Sequence, residues 1–96
     1  MTTPKPIDFS QVEALRKHML LTVNDICELL GVTRMTYYSW LKGTKLKKKN
    51  AEKVQQLLCD LVAVAKKYGW PTFEATQGSQ AYRRSQIDQL LSALRR

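Results

Sequence analysis

Apolar residues recur at helical spacing in most of this chain, and no stretch reads as a strand. Val12, Leu15, Met19 and Leu20 predict a first helix reaching about Leu21, with Ser10 and Glu13 in capping-box spacing and Phe9 as its staple. Thr22, with Asp25 three positions on, caps a second helix that carries Val23, Ile26, Cys27, Leu29 and Leu30. Gly31 stops it after barely two turns, and a helix that short must pack at once against neighbours. Thr33 caps a third helix, Arg34 to Lys42, which Gly43 ends.

From Asn50 onward, Val54, Leu57, Leu58, Leu61, Ala65 and Tyr68 sustain one apolar stripe without an internal breaker, so a single long helix is expected. Gly69, Trp70 and Pro71 form a strong stop. Thr72 to Ser79 reads as a connector. A last helix, about Gln80 to Leu94, holds Ile87, Leu90, Leu91 and Leu94 on a narrow stripe. That stripe fits either a second subunit or the core of its own chain. Two prolines within the first seven residues mark a flexible arm. The expected organisation is all-α: an arm at 1–8, a small helical bundle with a helix-turn-helix at 9–70, and a connector with a C-terminal helix at 71–96 as a candidate dimerisation element.

The segment from Thr22 to Gly43 carries the functional signal. A helix-turn-helix needs apolar residues where its helices touch, a small residue at their closest approach and a left-handed backbone at the turn. Ile26 and Leu30 supply the inner face, Cys27 the small residue, Gly31 the turn and Val32 its plug, while Tyr37 and Trp40 anchor the second helix from inside. The run Leu21-Thr22-Val23-Asn24-Asp25-Ile26-Cys27-Glu28-Leu29-Leu30-Gly31-Val32-Thr33, followed by Tyr37, Trp40, Lys42 and Gly43, resembles the lambda-repressor-like (Cro/CI, XRE-type) helix-turn-helix family. The resemblance is strongest over 22–43 and thinner over about 10–68.

Cys27 replaces the family's usual alanine, and Tyr37 stands where a branched aliphatic is usual. Val23 occupies the place of a glutamine that reaches phosphate, so that contact does not carry over. The family also breaks the region after Gly43 into two helices. The resemblance implies duplex-DNA binding with the segment from Arg34 in the major groove. Arg34, Met35, Thr36, Tyr38 and Ser39 are then the base-reading candidates. Arg34 suits a guanine edge and Met35 a thymine methyl.

Charge supports a polyanionic partner: the 96 residues carry a net +8. Lys42, Lys45, Lys47, Lys48, Lys49 and Lys53 fall within twelve residues, opposed only by Glu52. A lysine run is more often a solvated face than a binding surface. Here it follows the candidate recognition helix, where the chain should pass a phosphate strand. Thr33, Lys42, Lys45, Lys47, Lys48, Lys49 and Asn50 are the phosphate candidates, and Lys5, Arg83, Arg84, Arg95 and Arg96 can add to the field.

Two cysteines in apolar helical patterns, Cys27 and Cys59, read as small buried residues, and His18 as a surface one. No metal, cofactor or catalytic constellation is expected, so an enzyme is disfavoured. A cytoplasmic location is expected, with no membrane span. The leading expectation is a homodimeric transcriptional repressor on a palindromic operator, of bacterial or phage type and open to control by a protein antagonist or co-regulator. An architectural or assembly protein using the same motif is the alternative, and single-strand or RNA binding is a weaker third.

Overall fold

The computed structural model describes residues 8–95, which form six helices; no strand occurs among them. They are α1 Phe9–His18, α2 Val23–Leu30, α3 Arg34–Leu41, α4 Lys48–Tyr68, α5 Phe73–Gln77 and α6 Gln80–Leu94. No helix is long and apolar enough to cross a membrane. The expected arm lies outside the described residues except for Asp8, which caps α1.

Asp8, not Ser10, caps α1: its Oδ1 accepts from the Ser10 backbone N–H at 3.0 Å. The expected capping box fails because Glu13 is engaged elsewhere, by Arg16 and by the Tyr37 hydroxyl. Phe9 does not staple the helix end. Its ring is buried edge-on to Tyr37, with centroids 5.0 Å apart, and to Trp40 at 5.5 Å. The helix also stops at His18 rather than near Leu21, because Leu20 turns left-handed with φ 63°. The Leu20 and Leu21 N–H groups then reach back to the carbonyls of Lys17 and Arg16, both at 3.1 Å.

Three consecutive carbonyls at this reversal are each taken by a side chain. The Trp70 indole N–H donates to Met19 O at 2.8 Å, the Gln80 amide to Leu20 O at 3.0 Å and Arg16 to Leu21 O at 2.8 Å.

The second helix starts as expected. Thr22 and Asp25 form a reciprocal capping box, and Gly31, at φ 72°, ends the helix in the left-handed region where a side chain would be strained. Val32 and Thr33 complete a three-residue link to α3, whose N-cap Thr33 accepts from the Thr36 N–H. The long helix is continuous but begins at Lys48, two residues before Asn50. The expected connector contains a helix of its own, α5, capped by Thr72. Ser79 then caps α6.

One apolar core joins all six helices. It includes Val12, Ile26, Cys27, Leu30, Tyr37, Trp40, Val54, Leu57, Leu61, Val64, Trp70 and Ala75, together with Ile87 and Leu91 from α6. Of the two partners expected for the α6 stripe, a second subunit or the chain's own core, it is the core that covers it. Ile87 and Leu91 are 0% and 2% exposed, and Leu90 and Leu94 are half-buried against the same core. Cys27 is buried as expected, whereas Cys59 lies exposed, because the α4 stripe passes through Leu57, Leu61 and Val64 and leaves position 59 on the outer side.

Polar contacts tie α6 to α2. Asp25 Oδ2 accepts from Gln80 at 2.8 Å and Oδ1 from Arg84 at 3.3 Å; Arg84 also bonds Asp88 at 3.0 Å. At the far end, Arg95 grips the buried Asp60 at 2.9 Å. Burial would raise the Asp25 carboxyl, but the Thr22 backbone N–H, Gln80, the Thr22 hydroxyl and Arg84 outweigh it and hold the group below its ordinary value. The Arg16 hydrogen bond, foremost, does the same for Glu13.

A folded-state pKa below the unfolded one stabilises the fold above the unfolded value, and that stabilisation is lost as pH falls through the folded one. Thermal stability should therefore drop below about pH 4. Asp25→Asn should flatten the decline in melts recorded from roughly pH 5 to pH 2; an equally steep profile would remove Asp25 from the acid response.

Candidate nucleic-acid interface

The candidate interface is built on α3, supported from behind and free in front. Its inner face is Tyr37, 0% exposed, and Trp40, 6% exposed, resting on Phe9. At about 100° per residue the opposite side must carry Met35, Tyr38 and Lys42, with Arg34 at its edge. Arg34, Tyr38 and Lys42 follow one another at four-residue intervals along one ridge, and all are exposed. Met35 beside them is 83% exposed, and Tyr38 is 41% exposed. An apolar side chain left this open on a well-buttressed helix contributes nothing to the core.

The remaining candidates on α3 divide differently. Thr36 is half-buried, and its Oγ1 takes a 3.0 Å hydrogen bond from the Thr33 hydroxyl. Thr33 itself caps the helix. Ser39 is half-buried and donates to the Thr44 hydroxyl at 2.8 Å, fixing the chain as it leaves α3. These three hydroxyls hold the two ends of the helix, so its unengaged outward groups are Arg34, Met35, Tyr38 and Lys42.

Arginine pairing sharpens this picture. Arg16, Arg83, Arg84 and Arg95 all bond to carboxylates or backbone carbonyls. Among the described residues, Arg34 is the one arginine with no hydrogen bond or ion pair inside the chain. The tail arginines expected to add to a positive field are thus internal ties. Lys5 and Arg96 lie outside the described residues.

The lysines have no such ties. Among the described residues, Lys42, Lys45, Lys47, Lys48, Lys49 and Lys53 are exposed and none pairs with a carboxylate. Leu46 is half-buried against the core and pins the link, which leaves Lys45 and Lys47 on either side in solvent. Lys47 is the N-cap of α4 and makes no side-chain cap hydrogen bond, while Lys48, Lys49 and Asn50 form the first turn. This is a poor choice for stability. Cations at the positive end of a helix dipole disfavour it by about 0.3–1 kcal/mol each, and an uncapped start forgoes about 1 kcal/mol more. Local violations of this kind collect where a ligand supplies the missing charge.

Sequence reasoning missed the polar supports of this surface: Glu13 and Arg16 behind Tyr37, and Gln80 and Arg84 on Asp25. A signal for the first existed, since a buried tyrosine needs a partner for its hydroxyl and Glu13–Arg16 has helical pair spacing. Comparison with protein families, curated proteins and solved structures finds no match to this chain.

The uncapped basic start of α4 gives two opposed expectations. Lys47→Asp should stabilise the fold by about 0.5–2 kcal/mol in denaturant titrations, because a good N-cap replaces none. If the candidate interface takes a DNA duplex, the same change should weaken that binding whatever the sequence and lower the salt slope by about one. A variant that gains stability and loses no affinity would exclude Lys47 from the interface.

Proposed function

We propose that this chain is a sequence-specific duplex-DNA-binding regulator of transcription, built on a lambda-repressor-like helix-turn-helix formed by α2 and α3. The observation that carries this reading is the outward ridge of α3. An unpaired Arg34 stands with Met35, Tyr38 and Lys42 on a helix fixed from behind by Tyr37 and Trp40. Such a helix, inserted end-first in a major groove, offers Arg34 to a guanine edge and Met35 to a thymine methyl. The unpaired lysines that follow supply sequence-independent attraction to phosphates.

The same facts rank the alternatives. A single-strand or RNA platform built on Tyr37, Tyr38 and Trp40 would need all three rings open for stacking, but Tyr37 and Trp40 are interior and only Tyr38 is exposed. A single α3 reaches few base pairs, so we propose that two copies act together on a two-fold symmetric site with half-sites roughly 34 Å apart. Because Ile87 and Leu91 are buried, that pairing uses a surface other than the α6 stripe. Repression is the simplest outcome, since occupying a promoter excludes other proteins without requiring a further contact.

Selection from randomised duplexes tests the whole reading: a two-fold symmetric consensus supports it, and recovery of no preferred sequence refutes it. Against the selected site, Arg34→Ala should reduce discrimination by about 1–3 kcal/mol while leaving the melting temperature nearly unchanged. Lys47→Ala with Lys48→Ala should weaken selected and random duplexes alike and flatten the salt dependence by about two. An unaltered slope would remove both lysines from the phosphate contact.

A further inference from the structure

We infer that Glu13 is a positioning residue for base reading, acting through the Tyr37 hydroxyl to fix the roll of α3 about its own axis. The role in base reading rests on the proposed function above. The position of α3 itself does not.

The argument starts from what holds α3. Its two buried side chains, Tyr37 and Trp40, meet Phe9 edge to face. Contact of this kind settles which face of a short helix turns inward, but it leaves the helix small rotations about its own axis. Among the described residues, the Tyr37 hydroxyl is the one α3 side-chain group that hydrogen-bonds another helix, donating to Glu13 Oε1 at 3.0 Å with Arg16 beside it. Thr36 and Ser39 bond only to residues flanking α3 itself.

Glu13 is in turn held. Arg16 bonds the same Oε1 and donates to Leu21 O at 2.8 Å, one residue before the cap of α2. The relay therefore runs from the back of α3, through α1, to the start of α2. A hydrogen bond to an ionised acceptor is shorter and stronger than a neutral one, and it is directional. Arg16 keeps Glu13 ionised, and burial followed by the Glu13 carboxylate pushes the Tyr37 phenol above its ordinary value, so donor and acceptor roles are fixed. Because Arg34, Met35 and Tyr38 ride on the other side of the same helix, a roll of about 10–20° is enough to spoil their aim.

The test compares the full-length protein with Tyr37→Phe, Glu13→Leu, Glu13→Gln and the Tyr37→Phe/Glu13→Leu pair, at a temperature where circular dichroism shows every variant folded. Affinity is measured for the selected duplex and for a random duplex of equal length. Amide residual dipolar couplings of residues 34–41 are measured in the free protein.

Tyr37→Phe and Glu13→Leu should each lower affinity for the selected duplex about tenfold. They should change the random duplex by less than about twofold and shift the α3 couplings, and the pair should be no worse than either alone. Glu13→Gln, which keeps the acceptor oxygen, should restore most of the discrimination. Unmoved couplings in Tyr37→Phe overturn the proposal whatever the duplexes do. Equal losses on both duplexes overturn it as well, since that pattern belongs to stability or phosphate contact. Moved couplings in a protein whose wild type prefers no duplex refute base reading, and with it that part of the role, while upholding the fixing of α3 by Glu13.

Discussion

The reversal at Met19–Leu21 is the constraint on which the arrangement of the other helices depends. A left-handed leucine disfavours the fold by about 1–2 kcal/mol, and of three successive carbonyls, one buried and two partly buried, the buried one would add about 1–3 kcal/mol if left without a donor. The fold answers with Trp70, Gln80 and Arg16, one donor to each. Those side chains come from just past α4, from the start of α6 and from α1, so two distant parts of the chain join the preceding helix on one stretch of backbone. Its geometry fixes where α2 begins, and α3 follows α2 after only three residues. The outward helix is thus set by contacts that never touch its outer face.

Where glycine marked a reversal, the sequence was legible. Gly31 and Gly69 end α2 and α4 in the left-handed region, at φ 72° and 66°. Leu20 makes a similar turn at 63° with no glycine to announce it, and two of its supporting donors stand 51 and 60 residues further along. Hydrophobic periodicity located α6 but not its partner, because a stripe has a period and no address; the structure directs Ile87 and Leu91 inward. The start of α1 was misread because Asp8 and Ser10 are both good caps, and the deciding factor was Tyr37 claiming Glu13 from 24 residues away. The five-residue α5 is too short for any period to show. On α3 the division between buried Tyr37 and Trp40 and open Arg34, Met35 and Tyr38 was legible, because two large aromatics three residues apart mark the side of a short helix that turns inward.

Charge is divided by residue type. Four of the five described arginines serve as internal fasteners, each using its planar guanidinium group to make at least two hydrogen bonds at once. Lysine, a flexible and strongly hydrated point charge, fills the segment after α3 and remains in solvent. Among the described residues, the one arginine without an internal partner stands at the first position of α3. A net charge of +8 therefore understates the segregation, since carboxylates neutralise much of the arginine charge inside the fold and leave the lysines unopposed.

The two thiols differ in a way that can be put to use. Burial pushes the Cys27 thiol up, against a smaller opposing pull from Arg34, so it stays protonated and shielded. Cys59 is exposed, with only a 3.8 Å contact from the Gln55 amide. It lies about 16 Å along the α4 axis from Lys48. The chain therefore presents a single natural attachment point for a maleimide dye or spin label, set back from the basic turn and rigidly mounted on the longest helix.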